Sequence, residues 1–473
     1  MGSVSGLQQM LLSCWKRVYM KQYFMLCAGL LGMLLSSACL DDVDKDSWAK
    51  TFGGDTTNNY INACETTCDG GCICVGSTYN LAAEKHTILM IKINSDGTVA
   101  WRKNYGDNMD TMATSIISSP VSSHYIVAGT LDDASESFLQ KALLLTIDTN
   151  GTILSQKTYE LGEYSSVPTR LCITSDGGLM VSGYTSGNYG PPSALFMLKL
   201  NCKGVPVWQK QYGLLEVASV NSVFETHDHG FLVAGSIGWA SKLSQGVVLK
   251  LDAAGNIKWQ KETRDQAIAA PMGTDGYIVT TNTSDFYGPS NTFIFSLDMN
   301  GNVGWAYTLE GLDGPRKILQ TKDSGYLLAG TVTDDSSGSD IWLAKLSGSG
   351  MFEWQKTIGD EKRDKPSALL QTPGGAYIVA GNSQSGEEEH SDALVTKLDS
   401  TGSIPDCTLI DPGAIMSEEM SVSVEDTAMM VQNISASVAD SSLQPIDVDI
   451  QETTICSSAK NGLSTFAKLS EDE

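Results

Sequence analysis

The chain has 473 residues, enough for two or three ordinary domains or one large repeat domain, and 41% of them are hydrophobic. Its formal net charge of −24 excludes nucleic acid and anionic lipid surfaces as expected partners, because like charges repel. A content of 46 glycines is typical of a turn-rich β protein.

The first 38 residues have the features of a targeting segment. Lys21 precedes an apolar run of 12 residues, Phe24 to Leu35, which is too short to span a bilayer comfortably. The sequence SSAC, which ends at Cys39, resembles the lipobox of bacterial lipoproteins, in which that cysteine becomes the acylated first residue. This resemblance implies an exported bacterial protein, lipid-anchored at Cys39 and, with Leu40 following, sorted to the outer membrane. An ordinary cleaved signal peptide is the alternative.

An acidic linker, 39–47, leads into a long internal repeat. Strands similar to YIVAG recur at Cys72, Tyr125, Leu179, Phe231, Tyr277, Tyr326 and Tyr377. Each is followed by an apolar strand that ends near Lys-Leu-Asp and by a tight glycine turn. Four residues after that glycine stand Trp101, Ser155, Trp208, Trp259, Trp305 and Trp354, spaced by 46 to 54 residues. With the strand before YIVAG, each period predicts four antiparallel strands.

Units of this length and composition are typical of β-propeller blades. Each Lys-Leu-Asp strand is the first arm of a hairpin, and the strand at the Trp position is its second arm. There are seven first arms but only six second arms, because Asp406 stands where the seventh Trp would be. Trp48, in turn, has no first arm before it. We therefore predict an all-β, seven-bladed β-propeller over 48–406, closed by the Trp48 strand against 393–398. Its Trp residues are expected to be buried between neighbouring blades. An open solenoid is the alternative, although it would leave two unpaired edges.

Beyond Cys39 there are eight cysteines, an even number, and export favours disulfides. The candidates are Cys64, Cys68, Cys72, Cys74, Cys172, Cys202, Cys407 and Cys456. The first four lie in one predicted hairpin, within bridging reach, and lack the paired CxxC spacing typical of zinc sites. Cys172 and Cys202 share a repeat and are either bridged or free. Cys407 and Cys456 bracket an acidic extension, 407–473, which we expect to be partly β and returned to the ring by a disulfide between them.

The hairpin pattern Lys-Leu-Asp-x-x-Gly-x-Ile-x-Trp resembles the Gly- and Trp-marked repeats of secreted bacterial and archaeal β-propeller proteins. It is more distantly similar to the quinoprotein-dehydrogenase-like (PQQ-repeat) propellers, a family that includes a lipoprotein of the outer-membrane β-barrel assembly machine. This resemblance implies the fold. It does not imply the quinone cofactor, because Ile73 separates Cys72 from Cys74 and removes the adjacent cysteine pair of the quinone enzymes.

Two other motifs have weak chemical signals. His227-Asp228-His229 could offer two imidazoles to a metal, but it occupies the place of an exposed turn. Asp148 to Gly151 and Asp298 to Gly301 resemble half of a calcium loop, and turn chemistry accounts for both. We expect no metal, no cofactor and no catalytic residue from these motifs.

The long loops after the YIVAG strands are uneven around the predicted ring. One sector is aromatic, with Tyr189, Trp239, Phe286 and Tyr287, and another is acidic, with Asp132, Asp133, Asp334, Asp335, Glu387 and Glu388. We predict a protein-binding or assembly scaffold that uses this face, with aromatic anchors and steering carboxylates, for an envelope or extracellular protein. Two alternatives stay open. The loops could be merely polar and varied, or the axial funnel could house a quinone oxidoreductase or a glycan hydrolase or lyase.

Overall fold

The computed structural model describes 46–457 apart from short gaps. The gaps are 55, 107–109, 121, 133–138, 162–163, 188–189, 216, 239–244, 265, 284–290, 311, 334–337, 360–362, 385–389, 406, 408–409, 413–416, 420–424, 427–430, 434–435, 441–444 and 448–450. The signal segment, Cys39 and most of the linker therefore lie outside the described residues. No helix long and apolar enough to cross a membrane occurs within the described part of the chain.

The described elements are strands. In the repeat region they are β1 (Trp48–Gly53), β2 (Thr57–Thr66), β3 (Cys72–Asn80), β4 (Lys85–Ile93), β5 (Val99–Tyr105), β6 (Asp110–Ser118), β7 (Tyr125–Asp132), β8 (Gln140–Ile147), β9 (Ile153–Leu161), β10 (Ser165–Ile173), β11 (Leu179–Gly187), β12 (Gly190–Leu200), β13 (Pro206–Leu215), β14 (Val217–Glu225), β15 (Phe231–Gly238), β16 (Gln245–Leu251), β17 (Ile257–Arg264), β18 (Ala267–Met272), β19 (Gly276–Thr283), β20 (Asn291–Asp298), β21 (Val303–Glu310), β22 (Leu312–Gln320), β23 (Tyr326–Thr333), β24 (Ser339–Leu346), β25 (Phe352–Ile358), β26 (Arg363–Gln371), β27 (Tyr377–Gln384) and β28 (Ser391–Leu398). In the C-terminal extension they are β29 (Ile410–Pro412), β30 (Ser417–Glu419), β31 (Glu425–Asp426), β32 (Val431–Asn433), β33 (Ala436–Asp440), β34 (Pro445–Asp447) and β35 (Gln451–Ser457).

Consecutive strands of the repeat pair in antiparallel, up-and-down order. Five sheets each contain four repeat strands and one strand of the extension, as in β14-β15-β16-β17-β31. The other sheet has ten strands, so the described pairing gives six sheets rather than the seven expected. The reason is local: β24 and β26 are joined by one parallel pair, Ser339 with Arg363. The architecture is that of a β-propeller, and the prediction of four strands per unit missed the fifth.

The first strand of each unit, here called the inner strand, contacts the inner strand of the next unit. The inner strands are β2, β6, β10, β14, β18, β22 and β26, and β26 in turn contacts β2. Apolar side chains fill the spaces between neighbouring sheets; one cluster joins Trp48 and Ile378 to Leu89. Hydrogen bonds reinforce this junction, since Ile61 N donates to Asn382 Oδ1 over 2.8 Å.

The N-terminal strand β1 lies beside the last repeat, as the count of arms predicts. Trp48 is opposite Lys397 and Phe52 is opposite Ala393 in an antiparallel pair of strands. Both aromatic side chains are fully buried. The missing second arm of the last repeat is thus supplied from the other end of the β region.

Each Trp of the repeat caps a glycine turn of the next unit. Trp101 Nε1 donates to Thr149 O over 2.9 Å, and Trp208 Nε1 donates to Ala253 O over 3.1 Å. Among these Trp residues Trp48 is fully buried, while the other five are half-buried. The expectation of burial between neighbouring units is met fully by Trp48 and in part by the other five, whose rings pack against the core clusters and also cover an exposed turn.

In three repeats the Lys of the Lys-Leu-Asp motif is buried and forms an ion pair within its own sheet. Lys250 Nζ lies 2.8 Å from Asp228 Oδ1 and also donates to Leu251 O. The same pairing joins Lys199 to Asp176 and Lys345 to Asp323, both at 2.9 Å. An ion pair with additional hydrogen bonds offsets the cost of removing the ammonium group from water.

The acidic extension runs along the outer strands in the reverse of chain order. From β29 to β35 its strands pair in turn with β25, β21, β17, β13, β9, β5 and β1. We call this segment the belt. It occupies edges that would otherwise be open to pairing with another chain.

Candidate functional site

Most inner strands contain a bulge at the same register. The extra residues are Asn62, Thr114, Thr169, Asn221, Arg316 and Ser367. A bulge re-aims the side chains beside it. The residues that follow the bulges are small, namely Ala63, Ser115, Ser222 and Ala368, except for two cations, Arg170 and Lys317.

Those two cations line one cavity in the axial channel, which is the space enclosed by the inner strands. The cavity has a volume of about 370 Å³ and lies between β10, β14, β18 and β22. Its wall on β18 is apolar, from Ile268 to Pro271, and Asn221 adds an amide. No carboxylate is among the described residues that line it.

The guanidinium group of Arg170 is held by backbone carbonyls. Its Nε donates to Asn221 O over 2.6 Å, and its Nη1 donates to Thr169 O over 2.7 Å. These bonds orient the group without neutralising it. Burial lowers the pKa of Arg170 to about 10.

Lys317 is the second cation of the cavity, and protein surrounds it. Its side chain is half-buried in the wall of the cavity. Burial lowers the pKa of Lys317 well below its usual value, and the positive charges of Arg170 and Arg316 lower it further. No ion pair between Lys317 and a carboxylate occurs within the described part of the chain.

The cavity continues toward a second, smaller one of about 260 Å³ at the short-turn end, the end that carries the tight turns. Ser175, Glu225 and His229 meet there: Ser175 Oγ lies 2.7 Å from Glu225 Oε1 and 3.0 Å from His229 Nδ1. Glu225 Oε1 lies 3.4 Å from the same nitrogen. A nucleophile relay needs the hydroxyl and the carboxylate on opposite ring nitrogens, so this trio does not form one.

The contact between Ser175 and Glu225 has a counterpart elsewhere, which identifies it as structural. Ser175 N donates to Glu225 Oε2 over 2.5 Å, and Lys322 N donates to Gln371 Oε1 over 2.8 Å at the equivalent place in another pair of units. Both bonds join a turn to the inner strand of the next unit.

The central residue of His227-Asp228-His229 is already engaged. Asp228 binds Lys250 and lies 2.6 Å from Lys258. Burial alone would raise the pKa of Asp228, but hydrogen bonds from Lys250, Lys258 and Thr226 outweigh it and lower the pKa. Within the described residues no group of three His, Cys, Asp or Glu side chains could hold a metal ion.

The Asp-x-Asn-Gly turns use their carboxylates internally. Asp148 Oδ1 accepts backbone N–H groups from Asn150 and Thr152, and Asp298 Oδ1 accepts from Asn300 and Asn302. These bonds account for the residue types without a calcium ion.

Glu65 lies near the end of inner strand β2 and accepts a hydrogen bond from Ser118 Oγ over 3.1 Å. Burial raises the pKa of Glu65 to about 7, and the bond to Ser118 only partly opposes that effect. Sequence reasoning missed this residue, since a lone Glu in a strand has no distinguishing pattern.

The described residues contain two disulfides. Cys64 and Cys74 are opposite each other on β2 and β3 with a Cα–Cα distance of 4.1 Å. Cys407 and Cys456 join the two ends of the belt, with a Cα–Cα distance of 5.8 Å, which is the pairing the sequence favoured.

The other four cysteines, Cys68, Cys72, Cys172 and Cys202, are free. A bridge between Cys172 and Cys202 is therefore absent. Strand β11 separates the strands that carry or precede them, and two strand spacings of about 4.8 Å exceed the reach of a disulfide. Burial raises the pKa of Cys72 to about 12, and Asp69 adds to the effect.

The predicted partner face is described only in part. Among its candidates, Asp132 lies at the end of β7, opposite Asp110. The others lie outside the described residues: Asp133, Tyr189, Trp239, Phe286, Tyr287, Asp334, Asp335, Glu387 and Glu388. The strands that flank their loops end at the long-loop end, opposite the tight turns.

The cation pair was also missed by the sequence reasoning, although a signal for it exists. Pro168-Thr169-Arg170 and Pro315-Arg316-Lys317 both place a basic residue two positions after a proline of an inner strand. The same place in the last repeat is Pro366-Ser367-Ala368. Comparing these triplets, instead of the more regular YIVAG strands, would have singled out the two cations.

No protein-family model and no curated protein sequence matches the chain. Among solved structures, it is similar to the β-propeller domain of the Trilobed protease from Pyrococcus furiosus, with 10% identity, a TM-score of 0.35 and coverage of 62% of this chain and 80% of that one. It is also similar to the Pyrococcus horikoshii acylaminoacyl peptidase, with 12% identity, a TM-score of 0.40 and coverage of 70% and 52%. A third similar structure is the polysaccharide lyase Uly1, with 8% identity, a TM-score of 0.39 and coverage of 72% and 90%.

Proposed function

We propose that this protein is a lipid-anchored scaffold of the bacterial envelope, with a closed seven-bladed propeller that binds a partner protein through its long-loop end. Two observations support seven blades. The ten-stranded sheet is held together as one sheet by the single pair of Ser339 and Arg363. The core clusters of the described residues also number seven, one between each two neighbouring four-strand units.

Binding at the long-loop end is supported by a contrast between the two ends of the units. The contacts at the short-turn end and the rim are the same from unit to unit, whereas the loops at the long-loop end differ. The Trp caps, the Lys–Asp pairs and the belt recur from unit to unit at the short-turn end and the rim. Contacts that repeat in this way serve the fold. The loops of the opposite end differ from repeat to repeat in sequence, and variable loops on a rigid scaffold are where binding residues concentrate.

The chemistry of these loops suggests the kind of partner. Aromatic side chains such as Trp239 and Tyr287 are typical interface anchors, and the carboxylates of the acidic sector would steer a basic surface. The register of β6 and β7 agrees, because it sets Asp110 opposite Asp132 at the base of an acidic loop. Asp110 also accepts a hydrogen bond from His86 N over 3.2 Å, which fixes its place at this end of the strands.

The test is a crosslinking pull-down from bacterial envelopes with full-length protein. We expect Trp239→Ala with Tyr287→Ala to reduce recovery of the partner at least tenfold, since truncating an aromatic anchor costs about 2 kcal/mol or more. The matched control is Val207→Ala with Met351→Ala, which removes side chains that are 58% and 65% exposed at the short-turn end. Unchanged recovery with the aromatic variant, or equal loss with the control, would contradict the proposal.

A further inference from the structure

The lining of the axial cavity combines two half-buried positive charges, and no carboxylate is among its described residues. Arg170 and Lys317 come from inner strands β10 and β22, with β14 and β18 between them, and both follow a bulge. They therefore converge across the channel from separate units. The chain as a whole carries a net charge of −24, so this local excess of positive charge differs from the protein's general character.

The two cations keep donor capacity for a ligand. Arg170 uses Nε and Nη1 on the carbonyls of Asn221 and Thr169, and no acceptor for Nη2 is found within the described residues. Likewise, the described part of the chain provides no acceptor for Lys317 Nζ. By contrast, the buried Lys250 and Lys345 each pair with an aspartate.

Even partial burial of a cation without a counter-charge is costly, because removal from water disfavours the charged form. The lowered pKa of Lys317 reflects this cost. An anion placed between the two side chains would remove it and would gain charge-assisted hydrogen bonds in a site of low dielectric.

We propose that the axial cavity is a binding site for a small molecule that bears an oxyanion, a carboxylate or a phosphate, held between Arg170 and Lys317. The planar guanidinium group suits either oxyanion, and the ammonium group acts as a point charge. Asn221 and Ser222 add polar groups, while the Ile268–Pro271 wall accepts an apolar portion of the ligand. The volume of about 370 Å³ limits the ligand to a small molecule. The site does not depend on the long-loop face.

The experiment is isothermal titration calorimetry of the full-length protein with succinate and with inorganic phosphate, at matched ionic strength, with succinamide as a neutral analogue. We expect binding of at least one anion and none of succinamide. Binding of succinate alone assigns a carboxylate ligand, and binding of phosphate alone assigns a phosphate ligand.

Lys317→Met should weaken anion binding at least tenfold while raising the melting temperature of the free protein, because it removes a half-buried ammonium group that has no carboxylate partner among the described residues. That rise distinguishes a lost site from a misfolded chain. Lys203→Met removes the same charge from an exposed turn and should change neither property. The proposal is overturned if wild-type protein binds neither anion, or if Lys317→Met binds as tightly as wild type.

Discussion

At the scale of single residues, this protein separates its buried charges into two groups. Lys199, Lys250 and Lys345 each meet an aspartate and a backbone carbonyl, so their charges are compensated. Lys317 and Glu65 lack such a partner charge. Burial lowers the pKa of Lys317 and raises the pKa of Glu65, and both shifts favour the neutral form of the side chain. Repetition marks the first group as structural, whereas each member of the second group occurs at one place in the ring.

Glu65 predicts a dependence of stability on pH. Because its folded-state pKa is about 7 against an ordinary value of 4.5, the folded state holds the proton more tightly than the unfolded state. Its contribution to stability is present below pH 4.5 and is lost as pH rises to 7. Glu65→Gln should therefore raise the free energy of unfolding at pH 8 by about 2 kcal/mol, given about 1.4 kcal/mol per pKa unit and a reduction for partial exposure.

The measurement for Glu65→Gln is urea unfolding at pH 4.5 and pH 8. The gain should vanish at the lower pH. Glu84→Gln, at an exposed position, is the matched control and should behave as wild type at both values. A gain that is equal at the two pH values would refute the assignment of the effect to ionisation.

At the scale of elements, the turn between the last two strands of a unit is where neighbouring units are joined. Gly255 has a φ of 75°, and Tyr212 Oη of the preceding unit donates to its carbonyl over 2.7 Å. A Cβ at this glycine would lie 2.7 Å from Trp208 Cη2, closer than side-chain packing allows. The turn glycine is therefore required both by its backbone conformation and by the Trp that covers it.

Substitution of two glycines separates these requirements. Gly177 has a φ of 76°, but a Cβ there would meet nothing within 4 Å. We expect Gly177→Ala to cost about 1 kcal/mol from the left-handed conformation alone. Gly255→Ala should cost about 2 kcal/mol more, because Trp208 must move. Midpoints of chemical unfolding compare the two, and equal losses would show that the Trp contact contributes nothing.

At the scale of the whole molecule, the belt joins all the outer strands in one continuous path. Between 408 and 457 it contains nine acidic residues and no basic one, while the outer strands carry lysines. The register sets Lys261 opposite Asp426, Lys157 opposite Asp440 and Lys103 opposite Asp447. Opposite charges at such positions favour pairing by a few tenths of a kcal/mol up to about 1 kcal/mol each.

Deletion of 408–473 should convert the protein into a self-associating species, because the outer strands would regain open edges. Light scattering coupled to size-exclusion chromatography measures the change. Cys407→Ser with Cys456→Ser is the control: it leaves every belt strand in place, so its mass should remain that of the full chain. An unchanged mass for the truncated chain would contradict the role of the belt in edge protection.

Much of the fold could be predicted from the sequence. Its strands and turns follow from local residue patterns, and the pairing of its ends follows from the number of hairpin arms. Alternating apolar runs predict strands, Gly and Asp predict tight turns, and a surplus first arm with an isolated Trp48 predicts how the ends pair. The belt was accessible only as an acidic, partly β extension bracketed by Cys407 and Cys456. Its strands have two to seven residues, too few to show a period of their own, and their partners are far away in sequence.

The sequence alone thus determined the repeat, the order of its strands and the origin of the last outer strand. The tertiary structure decided which charges are compensated and where Arg170 meets Lys317. The physical reason is that hydrogen-bonded turns and apolar periodicity act over a few residues, whereas the field at a buried charge depends on groups brought together from separate units. The side-by-side arrangement of β10, β14, β18 and β22 places two cations, 147 positions apart by their residue numbers, in one cavity.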